Sequence, residues 1–282
     1  MRIRLPYRGP FSHAPLWGAL RAHTVAGLER HDVVTGTHTR VVNARHGPAL
    51  VSVGRPAAHH VEAHLTAHPD DVEALTAAVR RWLDLDADPS SIDTALSRHA
   101  VLAPLVQARP GLRRLGSVDG FETAVLTVLG QQVSLAMART FGARLVASYG
   151  RPVHHGFVAF PDPKTLAVRS PEEIRGAIGL TGARARTVQA LAQAAADGLR
   201  LGADTDPTAF RAGLLALPGI GPWTADYLAV RVLGDPDAFT PDDLVLKRAL
   251  GVGTGRAASA LAEAWRPWRA YALFHLWTAE AY

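Results

Sequence analysis

Cysteine is absent from the 282 residues. Its absence removes disulfides, thiol nucleophiles, thiolate zinc sites and cysteine-ligated iron–sulfur clusters together. Lysine is almost absent as well: Lys164 and Lys247 are the only two, so amine chemistry such as Schiff-base formation has few candidates. No apolar run reaches the roughly 18 residues that a membrane helix needs, and no fixed-period repeat or low-complexity block is visible. The opening MRIRLPYRGPFSHAP places prolines where a secretory signal carries an apolar core, so a soluble cytoplasmic protein without membrane attachment is expected. Against these absences stand 48% apolar residues, enough for two or three packed cores, and a formal net charge of +5. That charge permits a polyanionic partner without requiring one.

Residues 1 to about 70 carry short β-prone runs split by glycine and histidine, HDVVTG, THTRVVNARHG and PALVSVGR, which read as antiparallel strands and turns. One early segment, APLWGALRAHT, reads as a short helix. From PDDVEALTAAVRRWLDL onward the pattern is helical, with Val72, Leu75, Val79 and Leu83 on one face. Phe121, Val125, Val128 and Leu129 form a further stripe, Ser134 is placed to cap the helix that follows, and Ser170 with Glu173 has capping-box spacing. The expected class is therefore α+β: a small antiparallel-sheet domain over residues 1–90, then two mostly helical domains. The first is formed by 91–118 with 236–282 and the second by 119–235, and a linker is expected near 84–91.

One turn departs from ordinary loop composition. LALPGIGPWTADYLAV, residues 214–229, places a proline and two glycines between apolar segments. Gly219 and Gly221 allow close approach to the main chain, and Pro222 suits a first helical turn. The helix that begins near Trp223 presents free N–H groups and a positive dipole end, a combination suited to gripping a phosphate without reading a base. The plainer reading is a helix connection with a glycine cap. Twenty residues beyond Trp223, Asp242 and Asp243 follow Pro241 at the start of another helical run. A carboxylate there is favoured as an anion by the helix dipole, and ordinary N-capping with an i,i+4 contact to Lys247 would also account for it. Chemistry alone accepts either aspartate.

LPGIGPWTA resembles the helix-hairpin-helix signature of DNA repair glycosylases, and a hairpin followed by aspartate at this spacing resembles the helix-hairpin-helix, Gly/Pro, Asp superfamily. ARPGLRRLGSVDGFETAVLTVLGQQVSLAMA, LPGIGPWTADY, PDDLVLK and RPWRAYALFHLW occur in the order found in bacterial 3-methyladenine DNA glycosylases II, the AlkA type. The local motifs are specific, whereas the N-terminal match through LWGALRAHT is weaker.

This resemblance implies an N-glycosylase acting on double-stranded DNA that contains damaged bases. Asp243 would be catalytic, Gly219, Gly221 and Thr224 would contact phosphate in the hairpin (217–223), and Gln132 would be the wedge. Trp223, Tyr227 and Trp277 would receive the flipped base. It also implies a sodium or potassium ion held by the carbonyls of Leu215, Leu217 and Ile220, no required cofactor, and a monomer that associates with the nucleoid when engaged. Lyase branches carry a hairpin lysine where Trp223 stands here, which points to a monofunctional enzyme. Ala19 and Leu244 occupy positions where the best-known type of the family has aromatic side chains, so a wider or less selective pocket is expected. A non-catalytic damage sensor and a glycosylase/lyase are the two alternatives.

Overall fold

The computed structural model describes residues 1–281. Five antiparallel strands open the chain: β1 (Arg2–Pro6), β2 (Glu29–His31), β3 (His38–Ala44), β4 (Gly47–Val53) and β5 (His60–Thr66), in the order β1-β5-β4-β3-β2. Helix α1 (His13–His23) joins the first two, and α2 (Val72–Trp82) follows the last. β5 alternates as a half-buried strand must: Val61, Ala63 and Leu65 point inward between more exposed neighbours. Leu75, Ala78, Val79 and Trp82, at helical spacing on α2, close that core.

The HDVVTG stretch is strand only as far as His31. Asp32 Oδ1 accepts the N–H groups of Val34 (2.8 Å) and Thr35 (3.2 Å), and Gly36 takes φ 68°. A side chain that bonds its own following backbone competes with the ladder, so Val33 and Val34 stand exposed in a turn.

The remainder is helical: α3 (Pro89–Leu96), α4 (Ala103–Ala108), α5 (Gly120–Gly130), α6 (Leu135–Tyr149), α7 (Pro163–Ala167), α8 (Pro171–Ile178), α9 (Gly182–Ala196) and α10 (Pro207–Leu215). Then come α11 (Pro222–Leu228), α12 (Leu244–Ala249), α13 (Gly255–Ala262) and α14 (Arg269–Ala281). A two-stranded ribbon, β6 (Arg151–Pro152) with β7 (Val158–Ala159), interrupts them. Helix starts follow the cap residues in the sequence. Ser134 accepts the Met137 N–H, Ser170 and Glu173 form the reciprocal capping box, and Asp119 caps α5.

Three buried clusters result. One lies between the sheet, α1 and α2; one joins α5 to α11; and one joins α3, α4 and α12 to α14. The stretch expected as a linker is packed: Leu83 and Leu85 are buried, and the Asp84 carboxylate accepts the Arg114 N–H, its guanidinium and the Tyr271 hydroxyl, each at 3.2 Å. Among the described residues no helix is long and apolar enough to cross a membrane.

Candidate active site

The quoted turn connects α10 to α11, and its two glycines answer to different demands. Gly219 has φ 79°, and a Cβ there would fall 2.1 Å from Thr187 Oγ1 on α9. Both the left-handed backbone and the close helix therefore exclude a larger residue. Gly221 has φ −95° as the N-cap of α11, and a Cβ there would meet nothing within 4 Å. It lies open on the outer face. Ala225 donates to the Gly221 carbonyl at 3.1 Å as the first bond of α11, so the N–H groups of Trp223 and Thr224 precede any intrahelical partner. Thr224 itself is buried, and its Oγ1 accepts from Gln131 Nε2 at 3.1 Å. What it offers the outer face is its main-chain N–H, because the hydroxyl is turned inward.

Asp243 is the N-cap of α12 and is only 7% exposed. Its Oδ1 accepts the Leu246 N–H (2.9 Å) and the Trp277 indole N–H (2.9 Å), while Oδ2 accepts the Trp223 indole N–H (3.0 Å). Three donors from α11, α12 and α14 thus fix one carboxylate, and charge-assisted bonds of this kind are the stronger class. No ion pair joins Asp243 to Lys247 among the described residues, so the capping half of the plainer reading is present and the pairing half is not. Asp242 is exposed and turns toward Gly255, where its Oδ1 lies 2.3 Å from the place a Cβ would occupy. Of the two, Asp243 lines a cavity.

The aromatic residues named from sequence come together around that carboxylate. Trp223 stacks on Tyr227 (5.2 Å between centroids, 17°), and Tyr227 meets Trp277 at 5.9 Å and 44°. A base sandwiched between two rings needs about 7 Å, two contacts of about 3.5 Å each, so neither gap admits one. The open faces are the outer ones. A cavity of about 270 Å³ lies against Trp277, Tyr227 and Asp243 and is walled on the far side by Leu16 and Ala19 of α1. A second, of about 580 Å³, lies against Trp223 and Tyr227 and runs back to Arg40 and Glu122. Ala19 is therefore in the wall of the smaller cavity, and Leu244 is 71% exposed beside the carboxylate. Burial, then the positive charge of Arg231, holds His23, which borders both cavities, down at about 4.

Gln132 is exposed and adopts φ 54°, a sparsely populated conformation for a residue with a Cβ. The residue beside it was not singled out from sequence. Gln131 Nε2 donates to the Gly219 carbonyl (3.2 Å) as well as to Thr224, and its own carbonyl accepts from Arg184. These bonds fasten the loop carrying Gln132 to the hairpin. Only proximity between segments 88 residues apart reveals the link. At the end of α10, Ile220 N–H reaches the Leu217 carbonyl at 3.3 Å. Carbonyl oxygens at a helix C-terminus are the hard, partly negative donors an alkali cation prefers. Two adjacent histidine pairs, His59–His60 and His154–His155, belong to no metal-spaced group among the described residues. Among the described residues the group with suitable spacing is His46, His68 and Asp70, but its two rings stack at 4.4 Å, 24° from parallel, so their lone pairs do not converge.

A hairpin fixed by Gly219, a capped carboxylate twenty residues on, and aromatic rings closing on it define the helix-hairpin-helix class of base-excision proteins. Residues 125–255 match the model of the HhH-GPD superfamily base excision DNA repair protein, and residues 2–119 match the AlkA N-terminal domain. DNA-3-methyladenine glycosylase 2 of Escherichia coli is 34% identical over 99% of this chain and 97% of its own length. A probable bifunctional transcriptional activator/DNA repair enzyme AlkA of Mycobacterium tuberculosis is 44% identical over 98% of this chain, which spans 56% of that relative. The fold is shared with the 3-methyladenine DNA-glycosylase from Archaeoglobus fulgidus, at TM-score 0.82 and 20% identity, covering 99% and 98% of the two chains. The chain belongs to the AlkA-type family of 3-methyladenine DNA glycosylases.

Proposed function

We propose that the chain is a monofunctional DNA glycosylase that flips alkylated purines out of double-stranded DNA and hydrolyses the N-glycosidic bond, leaving an abasic site. The observation that carries this reading is Asp243, a carboxylate immobilised by two indole N–H groups and a helix N-terminus in the wall of an aromatic cavity. In the reaction the C1′–N bond breaks, its electron pair leaves with the base, and positive charge develops on the sugar. A fixed anion favours that state over the ground state. Water then adds its oxygen to C1′ and releases a proton. An N3- or N7-alkylated purine is already a good leaving group, which lightens the demand for a general acid.

Each remaining part has a place in the same reading. The outer N–H groups of the hairpin, from Gly219 to Thr224, hold a backbone phosphate. An alkali ion held by the carbonyls of Leu215, Leu217 and Ile220 would add positive charge beneath that phosphate. Gln132, exposed on its loop, fills the gap left by the flipped nucleotide. The base stacks on an outer aromatic face. In this reading residues 1–90, 91–118 with 236–282, and 119–235 are three domains with the site where their cores meet, and one copy of the chain suffices.

Duplexes carrying one lesion each provide the test, with free base measured by chromatography. Release of free base is expected, whereas binding without release would favour a damage sensor. Borohydride should trap no covalent complex, because neither Lys164 nor Lys247 lines either cavity. A trapped complex would make the enzyme a lyase as well.

A further inference from the structure

The start of α6 belongs to no core. From Ser134 to Thr140 every residue but Ala138 is exposed, and the helix meets the interior only from Phe141 onward. A solvated helix face ordinarily carries charge, yet the outward residues of this first turn are Leu135 (41% exposed), Ala136 and Met137 (43% exposed). Apolar side chains gathered at one place, rather than scattered singly, mark a contact surface. The helix end that carries them is firmly anchored. Ser134 Oγ accepts the Met137 N–H (3.3 Å), Arg139 Nε donates to the Thr24 carbonyl (3.1 Å), and Gln131, three residues before the cap, is bonded to the hairpin at Gly219 and Thr224.

Leu135 also lines the larger cavity, together with Trp223, Tyr227 and Ala138, so it stands on the lip, part cavity wall and part outer surface. A nucleotide that swings toward Trp223 and Tyr227 leaves its neighbours in the duplex above that lip. The occupant that fits is therefore duplex DNA, on a surface continuous with the hairpin N–H groups and Gln132. An amide gives up hydrogen bonds to water when it is stacked between bases, whereas leucine and methionine give up none. Both are among the side chains that DNA-bending proteins insert between base steps. We infer that Leu135 and Met137 form an apolar wedge, beyond Gln132, that packs into the base step next to the lesion and holds it unstacked. This inference rests on the base-flipping part of the glycosylase reading and names the surface that opens the duplex.

A duplex carrying one tetrahydrofuran abasic analogue, with 2-aminopurine as its neighbour, tests the wedge without chemistry, because the analogue has no base to release. Binding of the wild type should raise 2-aminopurine fluorescence as the step unstacks. The double variant Leu135→Ser with Met137→Ser changes exposed positions, where fold stability is little affected. It should bind this duplex roughly tenfold more weakly and lose most of the fluorescence rise. Its affinity for an undamaged duplex should stay within about twofold of wild type, with the same salt dependence, since the phosphate contacts remain. Leu135→Met with Met137→Leu should keep every readout near wild type. Full affinity and fluorescence in the serine pair overturn the wedge, and so does an equal loss on undamaged duplex, which would mark a general contact. A wild type that dimerises in sedimentation, with a serine pair that does not, also overturns it by giving the patch to a second copy of the chain. The glycosylase reading is judged apart: a wild type that unstacks the analogue duplex but frees no base from lesion duplexes sinks that reading and leaves the wedge standing.

Discussion

A carboxylate at 242–243 was legible in sequence because its signals are local, a proline and a helix start, and the family spacing singled out Asp243. Its restraints were not. The indole of Trp277 arrives from 34 residues downstream to bond Oδ1, and periodicity alone would have buried that ring in the core. Gln131 escaped for the same reason, since the groups that give it meaning come from the hairpin. Asparagine separates charge from shape at position 243. It caps helices about as well as aspartate, so Asp243→Asn should fold and still bind duplex, with a melting temperature lowered by a few degrees because its amide NH2 faces the Trp223 indole donor. Base release should fall at least about 100-fold, the usual loss when a group that stabilises transition-state charge is removed. Release at the wild-type rate would show that the reaction does not depend on this carboxylate.

At the level of elements, caps and apolar stripes marked α2, α5, α6 and α8, and the strand read across residues 31–36 yielded to Asp32 bonding its own turn. The hairpin shows what composition cannot say, because two glycines two positions apart are alike in sequence and unlike in space. Gly219→Ala forces a Cβ against Thr187 and into a left-handed backbone. It should cost roughly 1 to 3 kcal/mol of stability, seen as a lower urea midpoint. Gly221→Ala meets no neighbour, and stability should change by no more than about 1 kcal/mol. Its methyl group would nevertheless stand where a strand must approach the N–H groups. Duplex affinity should therefore drop, and the salt dependence of binding should flatten by about one phosphate contact. Full affinity in Gly221→Ala would mean that the DNA strand passes elsewhere.

Across the whole molecule, buried ions join the cores, one of them at the linker expected near 84–91. Arg114 and Asp84 tie the end of α2 to α14 through Tyr271. Arg40 of β3 pairs with Glu29 at 2.8 Å and with Glu122 of α5. One guanidinium cannot fully offset two buried carboxylates. Burial raises Glu122 to about 7 against the pull of Arg40, while Glu29, also desolvated, is held down by Arg40. Between its unfolded value near 4.5 and about 7, Glu122 holds a proton only when folded, so its contribution to stability declines as pH rises through that window. His23 and His275, pushed down to about 4 chiefly by burial, act in the opposite sense: between 4 and 6.5 the unfolded chain binds their protons and stability rises with pH. From about pH 4.5 to 6.5 these histidines, with His31, which burial also lowers, oppose Glu122, so stability should rise with pH across that range. Glu122→Gln removes the opposing proton, and the rise should steepen by up to one proton's worth, roughly 1.4 kcal/mol per pH unit, in urea unfolding followed across the same range. A slope unchanged by the substitution would show that Glu122 takes up no proton on folding, and that the sheet and the helices are joined by a fully ionised cluster.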